Sequence, residues 1–74
     1  MKYAERIREL RKEKGYTQTH VAKVLRVAQT TYSDYENGNV RIPIEHIVEL
    51  ARLYNVSLNF ILGVSNIRNT FPQK

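Results

Sequence analysis

The sequence predicts an all-α protein, a compact bundle of five helices. Two observations lead to this fold class. Apolar residues recur at intervals of three and four, which gives a helix one buried face. Helix-ending signals, such as Gly15 and Asn37-Gly38, separate these stretches. Since 74 residues suffice for one small core, we expect one domain over residues 1–63 and a tail over residues 64–74.

The composition limits the kinds of site and partner that the chain can have. It contains no cysteine, and its two histidines, His20 and His46, lie on different predicted helices, so we expect no metal, disulfide or cofactor. No apolar run is long enough to span a membrane, and we expect a cytoplasmic protein with no membrane partner and no evident small-molecule ligand. The net charge of +5 suggests a polyanionic partner, although it is equally consistent with a charge that only keeps the protein soluble.

The first helix is predicted from Tyr3 to Lys14. Tyr3, Ile7 and Leu10 fall on one face, and the methylene stem of Lys14 continues that face one turn later. Gly15 is the expected C-cap, since glycine adopts the left-handed conformation at little cost.

The second helix is predicted from Gln18 to Leu25. Thr17 is a suitable N-cap, because its hydroxyl can accept a hydrogen bond from an amide of the first turn. The apolar stripe expected on this helix consists of Val21, Ala22, Val24 and Leu25.

The third helix is predicted from Gln29 to Asn37, with Gly38 in the closing turn. The residues expected to point inward or to close the core beneath the preceding turn are Val27, Ala28, Tyr32 and Tyr35. Because the connection to the second helix is so short, the two helices must cross steeply and share one core. This is helix-turn-helix geometry, in which the second helix of the pair can lie in a DNA major groove.

Two further helices are predicted after a loop stiffened by Pro43. Helix four runs from 44 to 54 and ends at Asn55, and helix five runs from 58 to 62, with Ser57 as N-cap and Gly63 as its end. The core residues expected on these helices are Ile47, Val48, Leu50, Ala51, Tyr54, Phe60 and Ile61. In the tail, Ile67 and Phe71 are four residues apart, and we hypothesise that one of them packs on a partner subunit.

Three short runs give the chain a specific resemblance. They read Arg-x-x-Lys-Gly-Tyr-Thr-Gln from residue 11, Tyr-Glu-Asn-Gly from residue 35 and Leu-Ala-x-x-Tyr-Asn-Val-Ser from residue 50. Together they resemble the phage repressor/Cro-type helix-turn-helix family, often called XRE-like, over about residues 7–62. The resemblance implies a lambda-repressor-like fold and a homodimeric transcriptional regulator, acting as a repressor, that reads a palindromic double-stranded DNA operator through its third helix.

The family pattern also implies which residues read the bases. Matched residue by residue, the base contacts would come from Gln29, Thr30, Ser33 and Asp34. The chemistry is suitable, because glutamine can bond adenine at two atoms, threonine can touch a thymine methyl and aspartate can accept from cytosine.

The same resemblance implies contacts to the DNA backbone, which fix the register of the protein without reading sequence. Gln18 would bond a phosphate from the first turn of helix two, where free amides favour an anion. The full set expected at the backbone is Gln18, Thr31, Asn37, Asn39 and Arg41.

Two positions stand out for structural reasons. In similar proteins the arginine at position 11 pairs with the glutamate that closes the third helix, so we expect an Arg11–Glu36 salt bridge that ties helix one to helix three. Arg26 stands where the family usually has glycine. A left-handed backbone there would strain the arginine, so either the turn bends differently or the strain is tolerated.

Other functions are weighed against DNA binding. A domain of this size can serve as an antitoxin or another protein-interaction module, and the family uses helix five and its preceding loop for dimer contacts. Exposure of Ile44, Val56 or Leu58 would support such contacts here. We do not expect an enzyme, because the sequence offers no nucleophile–base arrangement and no glycine-rich phosphate loop.

Overall fold

The computed structural model describes residues 2–62, except for the side chain of Lys2. Its helices are α1 (Lys2–Lys14), α2 (Gln18–Leu25), α3 (Gln29–Asn37), α4 (Ile44–Tyr54) and α5 (Leu58–Leu62). The all-α prediction is confirmed, and the predicted bounds agree except that α1 begins one residue earlier. The predictions for Gly63 and for the tail, including Ile67 and Phe71, lie outside the described residues.

The described helices begin and end at the cap residues that the sequence predicted. The Thr17 hydroxyl accepts from the amide of His20 at 3.0 Å, and the Ser57 hydroxyl accepts from the amide of Phe60 at 3.1 Å. Gly15 and Asn55 have left-handed backbones with φ of 72° and 55°. Each cap satisfies backbone groups that the helix itself leaves unpaired, which explains why short helices can form in a chain of this size.

The core lies between α1 and the other helices. α1 packs against α3, α4 and α5, while α2 packs against α3. The largest fully buried side chains are those of Ile7, Val21, Leu25, Tyr32, Leu50 and Ile61. Every helix thus contributes to a single core, and α3 is held from behind by α1 and α2.

Four predictions of inward-facing residues need correction. Ala28 is exposed, because it is the N-cap of α3 with an extended backbone and its side chain lies off the helical phase. Lys14 is exposed too, since α1 ends there and no neighbouring described element covers its stem. Val24 and Val48 are only half-buried, and neither belongs to the core cluster.

Ile42 is a core residue that the sequence did not predict. It lies in the loop between α3 and α4, yet its exposed fraction is only 3%. An apolar side chain of this size stabilises a fold by about 1.5–3 kcal/mol when it is fully buried. Burial of Ile42 therefore anchors the α3–α4 loop to the core. None of the described helices is both long and apolar enough to cross a bilayer.

Candidate nucleic-acid interface

A salt bridge in the core fixes the end of α3 to α1. The Arg11 guanidinium donates from Nε to Glu36 Oε2 at 2.7 Å and from Nη2 to Glu36 Oε1 at 3.1 Å. A third bond runs from Arg11 Nη1 to the carbonyl of Tyr16 at 3.0 Å, so the same side chain also holds the α1–α2 turn. The Glu36 side chain is 1% exposed. A buried carboxylate with two parallel hydrogen bonds from arginine gives a specific and rigid connection.

The environment of this pair keeps both groups charged. Burial on its own would raise the pKa of Glu36, but the hydrogen bonds from Arg11 and Gln18 hold that pKa below its ordinary value of 4.5. The hydrogen bond to Glu36 raises the pKa of Arg11. Burial, followed by the neighbouring Glu36 carboxylate, raises the pKa of Tyr32. The ion pair is therefore fully formed at neutral pH.

Gln18 connects the salt bridge to the surface of α3. Its Nε2 donates to Glu36 Oε1 at 3.1 Å, and its Oε1 accepts from Gln29 Nε2 at 2.8 Å. A continuous chain of polar contacts thus runs from Arg11 in α1 through Glu36 and Gln18 to Gln29. Gln18 is only half-buried, and one N–H of its amide is not used by either bond.

The outer face of α3 carries the residues expected to read bases. Gln29 and Thr30 are exposed in the first turn, while Ser33 and Asp34 are half-buried one turn later. Thr31 is also half-buried. The face is polar, and Asp34 is the one charged residue among these five, so its hydrogen-bonding groups are accessible without a cover of long charged side chains.

Side chains from the end of α3 and the following loop approach this face. Asn37 Nδ2 lies 3.4 Å from Ser33 Oγ, and Asn39 Nδ2 lies 3.5 Å from Asp34 Oδ1. Both distances are long for hydrogen bonds, so the bonds are weak and exchangeable. Arg41 is exposed further along the same loop. The structure thus brings Asn37 and Asn39 beside the predicted base readers and places Arg41 farther out on the loop.

A second contact fixes the buried side of α3. The Tyr35 hydroxyl lies 3.1 Å from Nδ1 of His46 in α4, and the centres of the two rings are 5.9 Å apart. Burial raises the pKa of Tyr35. Because α3 is held by α1 through Glu36 and by α4 through Tyr35, its outer face has a fixed orientation.

The turn between α2 and α3 contains a backbone that arginine seldom adopts. Arg26 has φ 61° and ψ 42°, and its amide donates to the carbonyls of Ala22 and Lys23 to close α2. Of the two possibilities raised by the sequence, the turn therefore keeps the left-handed geometry and tolerates the strain. The cost for a residue with a side chain is roughly 1–2 kcal/mol.

Comparison with known proteins agrees with this geometry. A family model described as helix-turn-helix matches residues 7–61, which include α2, the strained turn, α3 and most of the surrounding core. The chain belongs to the helix-turn-helix family. The resemblance that the sequence motifs indicated is thereby confirmed.

Several curated relatives of this helix-turn-helix chain carry the names of regulators. It is 38% identical over 64 residues to the uncharacterized HTH-type transcriptional regulator YobD and 35% identical over 69 residues to the HTH-type transcriptional regulator AnsR, both of Bacillus subtilis. These matches cover 86% and 93% of this chain. A third relative, the cryptic phage CTXphi transcriptional repressor RstR of Vibrio cholerae, is 34% identical over 76% of this chain.

The matches cover only part of each relative. They extend over 57% of YobD, 60% of AnsR and 50% of RstR. The chain therefore spans between half and three fifths of the length of these relatives. All three relatives are named as regulators or repressors of transcription.

The bridging role of Gln18 was not foreseen from the sequence. The sequence predicted a phosphate contact from the first turn of α2, but the contacts of Gln18 are with Glu36 and Gln29, 18 and 11 residues away. One signal could have revealed it. When two short helices cross steeply, the residues that begin each of them can come close, and here both helices begin with glutamine.

Proposed function

We propose that this helix-turn-helix protein is a transcriptional regulator that binds double-stranded DNA sequence-specifically, with α3 in the major groove. The observation that carries the proposal is the polar chain from Arg11 to Gln29. A glutamine on a generic solvated face has no need of an orienting partner, whereas Gln29 is held by a residue that is itself bonded to a buried carboxylate. Such support from behind is what a base-reading side chain requires.

The bond to Gln18 leaves Gln29 able to read a base pair. One N–H of Gln29 Nε2 is used by Gln18, and the other N–H together with Oε1 can bond N7 and N6 of adenine. A side chain that is already oriented loses less rotamer freedom on binding, at a saving of about 0.5–1.5 kcal/mol. Gln29 is accordingly the residue to which we assign the strongest base preference.

The remaining base contacts come from the other polar residues of the α3 face. Thr30, Ser33 and Asp34 lie within reach of neighbouring base pairs, and Asn37 and Asn39 can exchange their long bonds to Ser33 and Asp34 for contacts to phosphate. Gln18, Thr31 and Arg41 complete the backbone contacts. Arg41 contributes the one full positive charge of this set, so it has the largest share of phosphate neutralisation.

The assembly we propose is a homodimer on a palindromic operator in the cytoplasm, acting as a repressor. A single α3 reads only a few base pairs. Two copies related by a two-fold axis present two α3 helices about one turn of DNA apart, which doubles the sequence information. Occupancy of such a site at a promoter would then block RNA polymerase.

Selection of bound duplexes from a random pool tests this function. The expected result is an enriched motif with two inverted half-sites whose centres are about 10 base pairs, or a multiple of that, apart. Recovery of no motif, together with the absence of any electrophoretic shift at low salt, would contradict DNA binding. A motif without inverted symmetry would contradict the homodimer alone.

A further inference from the structure

Some buried tyrosine hydroxyls of the described chain make no hydrogen bond. They are the hydroxyls of Tyr3, Tyr32 and Tyr54. Tyr32 in α3 and Tyr54 in α4 belong to the core, and neither ring is more than 3% exposed. A buried tyrosine hydroxyl usually finds a partner, because the loss of its bonds to water costs free energy. The surroundings of Tyr32 and Tyr54 therefore need an explanation.

These two hydroxyls lie beside the buried carboxylate of Glu36. Tyr32 stands four residues before Glu36 on α3, and side chains at this spacing are neighbours on a helix. Burial, and after it Glu36 and then Tyr54, raise the pKa of Tyr32 above its ordinary value of 10.0. Burial raises the pKa of Tyr54 to about 12, and the Tyr32 hydroxyl counteracts this rise. The three polar groups thus form one cluster at the centre of the core.

The Glu36 carboxylate has room for one more donor. Its two oxygens offer about four acceptor positions. Oε2 accepts from Arg11 Nε, while Oε1 accepts from both Arg11 Nη2 and Gln18 Nε2. Among the contacts of the described residues, one position on Oε2 is therefore left. A hydroxyl that has no acceptor and a carboxylate that can take another donor are complementary.

We propose that the Tyr32 hydroxyl donates to Glu36 Oε2 and so positions Gln29, the side chain that we assign to base reading. The inference deepens the proposed function and rests on it. A hydroxyl hydrogen rotates to suit its acceptor, so the bond needs only a small adjustment of two neighbouring side chains. With its acceptor positions filled, the carboxylate keeps Oε1 directed at Gln18, which in turn holds Gln29. Tyr32 itself touches no base and is a positioning residue.

Tyr54 extends the same arrangement to α4. When the Tyr32 hydroxyl donates to Glu36, its oxygen can accept from the Tyr54 hydroxyl. Two hydrogen bonds that point in one direction strengthen each other. The Tyr54 ring also stacks on Tyr16, with ring centres 6.3 Å apart, and the Tyr16 carbonyl accepts from Arg11 at 3.0 Å. The base reader is thereby connected to α4 as well as to α1.

The alternative is that both hydroxyls stay unsatisfied, and the two arrangements predict opposite effects of their removal. An unsatisfied buried hydroxyl destabilises the fold, so its replacement by hydrogen raises stability. A hydroxyl that donates to a buried carboxylate stabilises the fold, and it lowers the pKa of that carboxyl because it favours the charged form. Phenylalanine is a suitable replacement, since it keeps the ring and removes the hydroxyl alone.

A carboxyl titration of the full chain tests the bond. In Tyr32→Phe, the pKa of Glu36 followed by NMR should rise relative to the wild type, and the unfolding temperature at neutral pH should fall. Tyr54→Phe should shift the pKa of Glu36 in the same direction by a smaller amount. Tyr3→Phe is the matched control and should leave this pKa unchanged, because the Tyr3 hydroxyl is buried without a bond but is not among the groups that act on Glu36.

The opposite results would overturn the bond. An unchanged pKa of Glu36 in Tyr32→Phe would show that the hydroxyl does not donate to the carboxylate, and a higher unfolding temperature would show that it is unsatisfied. An unchanged pKa of Glu36 in Tyr54→Phe alone would remove α4 from the arrangement.

A binding experiment tests the positioning role. The readout is the ratio of affinities for a selected operator and for the same operator changed at the base pair assigned to Gln29. Tyr32→Phe should lower this ratio several-fold, by less than Gln29→Ala, and should leave discrimination at the base pair assigned to Thr30 unchanged. Tyr3→Phe should discriminate as the wild type does. A purely structural role would weaken all duplexes alike, so an unchanged ratio in Tyr32→Phe would refute the proposal.

The two experiments separate this inference from the proposed function. If the wild type binds no duplex, DNA binding itself is wrong, and the titration of Glu36 still decides whether Tyr32 donates to it. If the wild type binds DNA with a base preference and Tyr32→Phe shifts the pKa of Glu36 without altering that preference, the bond exists and the positioning role is wrong.

Discussion

At the scale of the residue, Gln18 and Gln29 show how one side chain can be oriented by another. Gln29 carries the base contact in our proposal, and Gln18 fixes it through the 2.8 Å bond from Gln29 Nε2. Substitutions of the two residues should therefore have different effects on sequence preference. Loss of Gln29 should remove a base preference, whereas loss of Gln18 should only weaken that preference.

The first prediction concerns these two glutamines. Gln29→Ala should reduce discrimination at one base pair of each half-site by about 1–3 kcal/mol, since a bidentate contact is lost. Gln18→Ala should reduce discrimination at the same base pair by a smaller amount and also weaken binding to all sequences. Competition binding against single-base operator variants measures both effects. If Gln29→Ala weakened every duplex equally, Gln29 would not be a base reader.

The second prediction concerns the strained arginine. Arg26→Gly should raise the free energy of unfolding by roughly 0.5–1 kcal/mol, because glycine relieves the left-handed strain but gives the unfolded chain more freedom. Arg26→Ala keeps the strain while it removes the charge, so it should give no comparable gain. Urea denaturation compares the two variants. An equal gain in both would assign the effect to the charge and not to the backbone.

At the scale of the element, the Arg11–Glu36 pair decides how α3 sits on α1. The pair can adopt only one geometry, because the Arg11 guanidinium is planar and the Glu36 carboxylate is buried. The Tyr35–His46 contact holds the same helix to α4. The orientation of α3 is thus set by polar contacts at its C-terminal half, while its first turn is left to face outward.

The third prediction is a pH dependence that originates in Glu36. Its pKa is lowered in the folded protein, so the charged carboxylate contributes stability that is complete above about pH 4.5 and is lost as the pH falls through the folded-state pKa. Below pH 4.5 the free energy of unfolding of the wild type should therefore fall more steeply than that of Glu36→Gln, which does not titrate. Denaturation at a series of pH values measures the difference.

The same variant has an expected effect at neutral pH. Glu36→Gln should be about 2 kcal/mol less stable than the wild type, because a hydrogen bond to a charged group is lost. Parallel pH profiles for the two proteins would show that the acid sensitivity comes from other carboxylates, such as those on α1.

At the scale of the whole molecule, the net charge of +5 and the exposed Arg41 would govern how tightly any duplex is held in the complex that we propose. Phosphate contacts release counterions from DNA, so the affinity falls steeply as salt is raised. This part of the binding energy carries no sequence information. The substitutions that weaken this phosphate contribution should therefore differ from the substitutions that alter sequence specificity.

The fourth prediction separates these two contributions. Arg41→Ala should weaken binding to all sequences alike and reduce the slope of log K against log salt concentration by about 1 for each protomer. Asn39→Ala, on the same loop, removes no charge and should leave the slope unchanged. Titrations at several salt concentrations give both slopes. A change in sequence preference on loss of Arg41 would contradict its assignment to the backbone.

Sequence reasoning succeeded where the physics is local. Helical periodicity and cap residues fix the bounds of the helices, because Thr17, Ser57 and Asn55 act on amides or carbonyls within a few residues of themselves. The salt bridge between Arg11 and Glu36 could be expected only through the family resemblance, since the two residues are 25 positions apart.

The features that the sequence did not predict depend on how the helices and loops pack together. Burial of Ile42 follows from the path of a loop over the core, and the exposure of Ala28 follows from a backbone that is extended before α3 begins. Neither the burial of Ile42 nor the exposure of Ala28 can be predicted from the helical periodicity of apolar residues. An apolar surface groove beside the α3–α4 loop combines residues from both ends of the described chain, Tyr3 and Leu62, so no single stretch of sequence could have revealed it.

The bond between Gln18 and Gln29 has an evolutionary consequence. A substitution at Gln29 alters the side chain that we propose to read a base, and it also removes the hydrogen bond to the Gln18 amide. A change of operator preference through position 29 therefore requires coordinated changes at both positions. Thr30 has no such tie to the interior among the described contacts. In the complex that we propose, descendants of this protein should therefore acquire new target sites first through position 30, and keep the proposed adenine contact of position 29 as an inherited constraint.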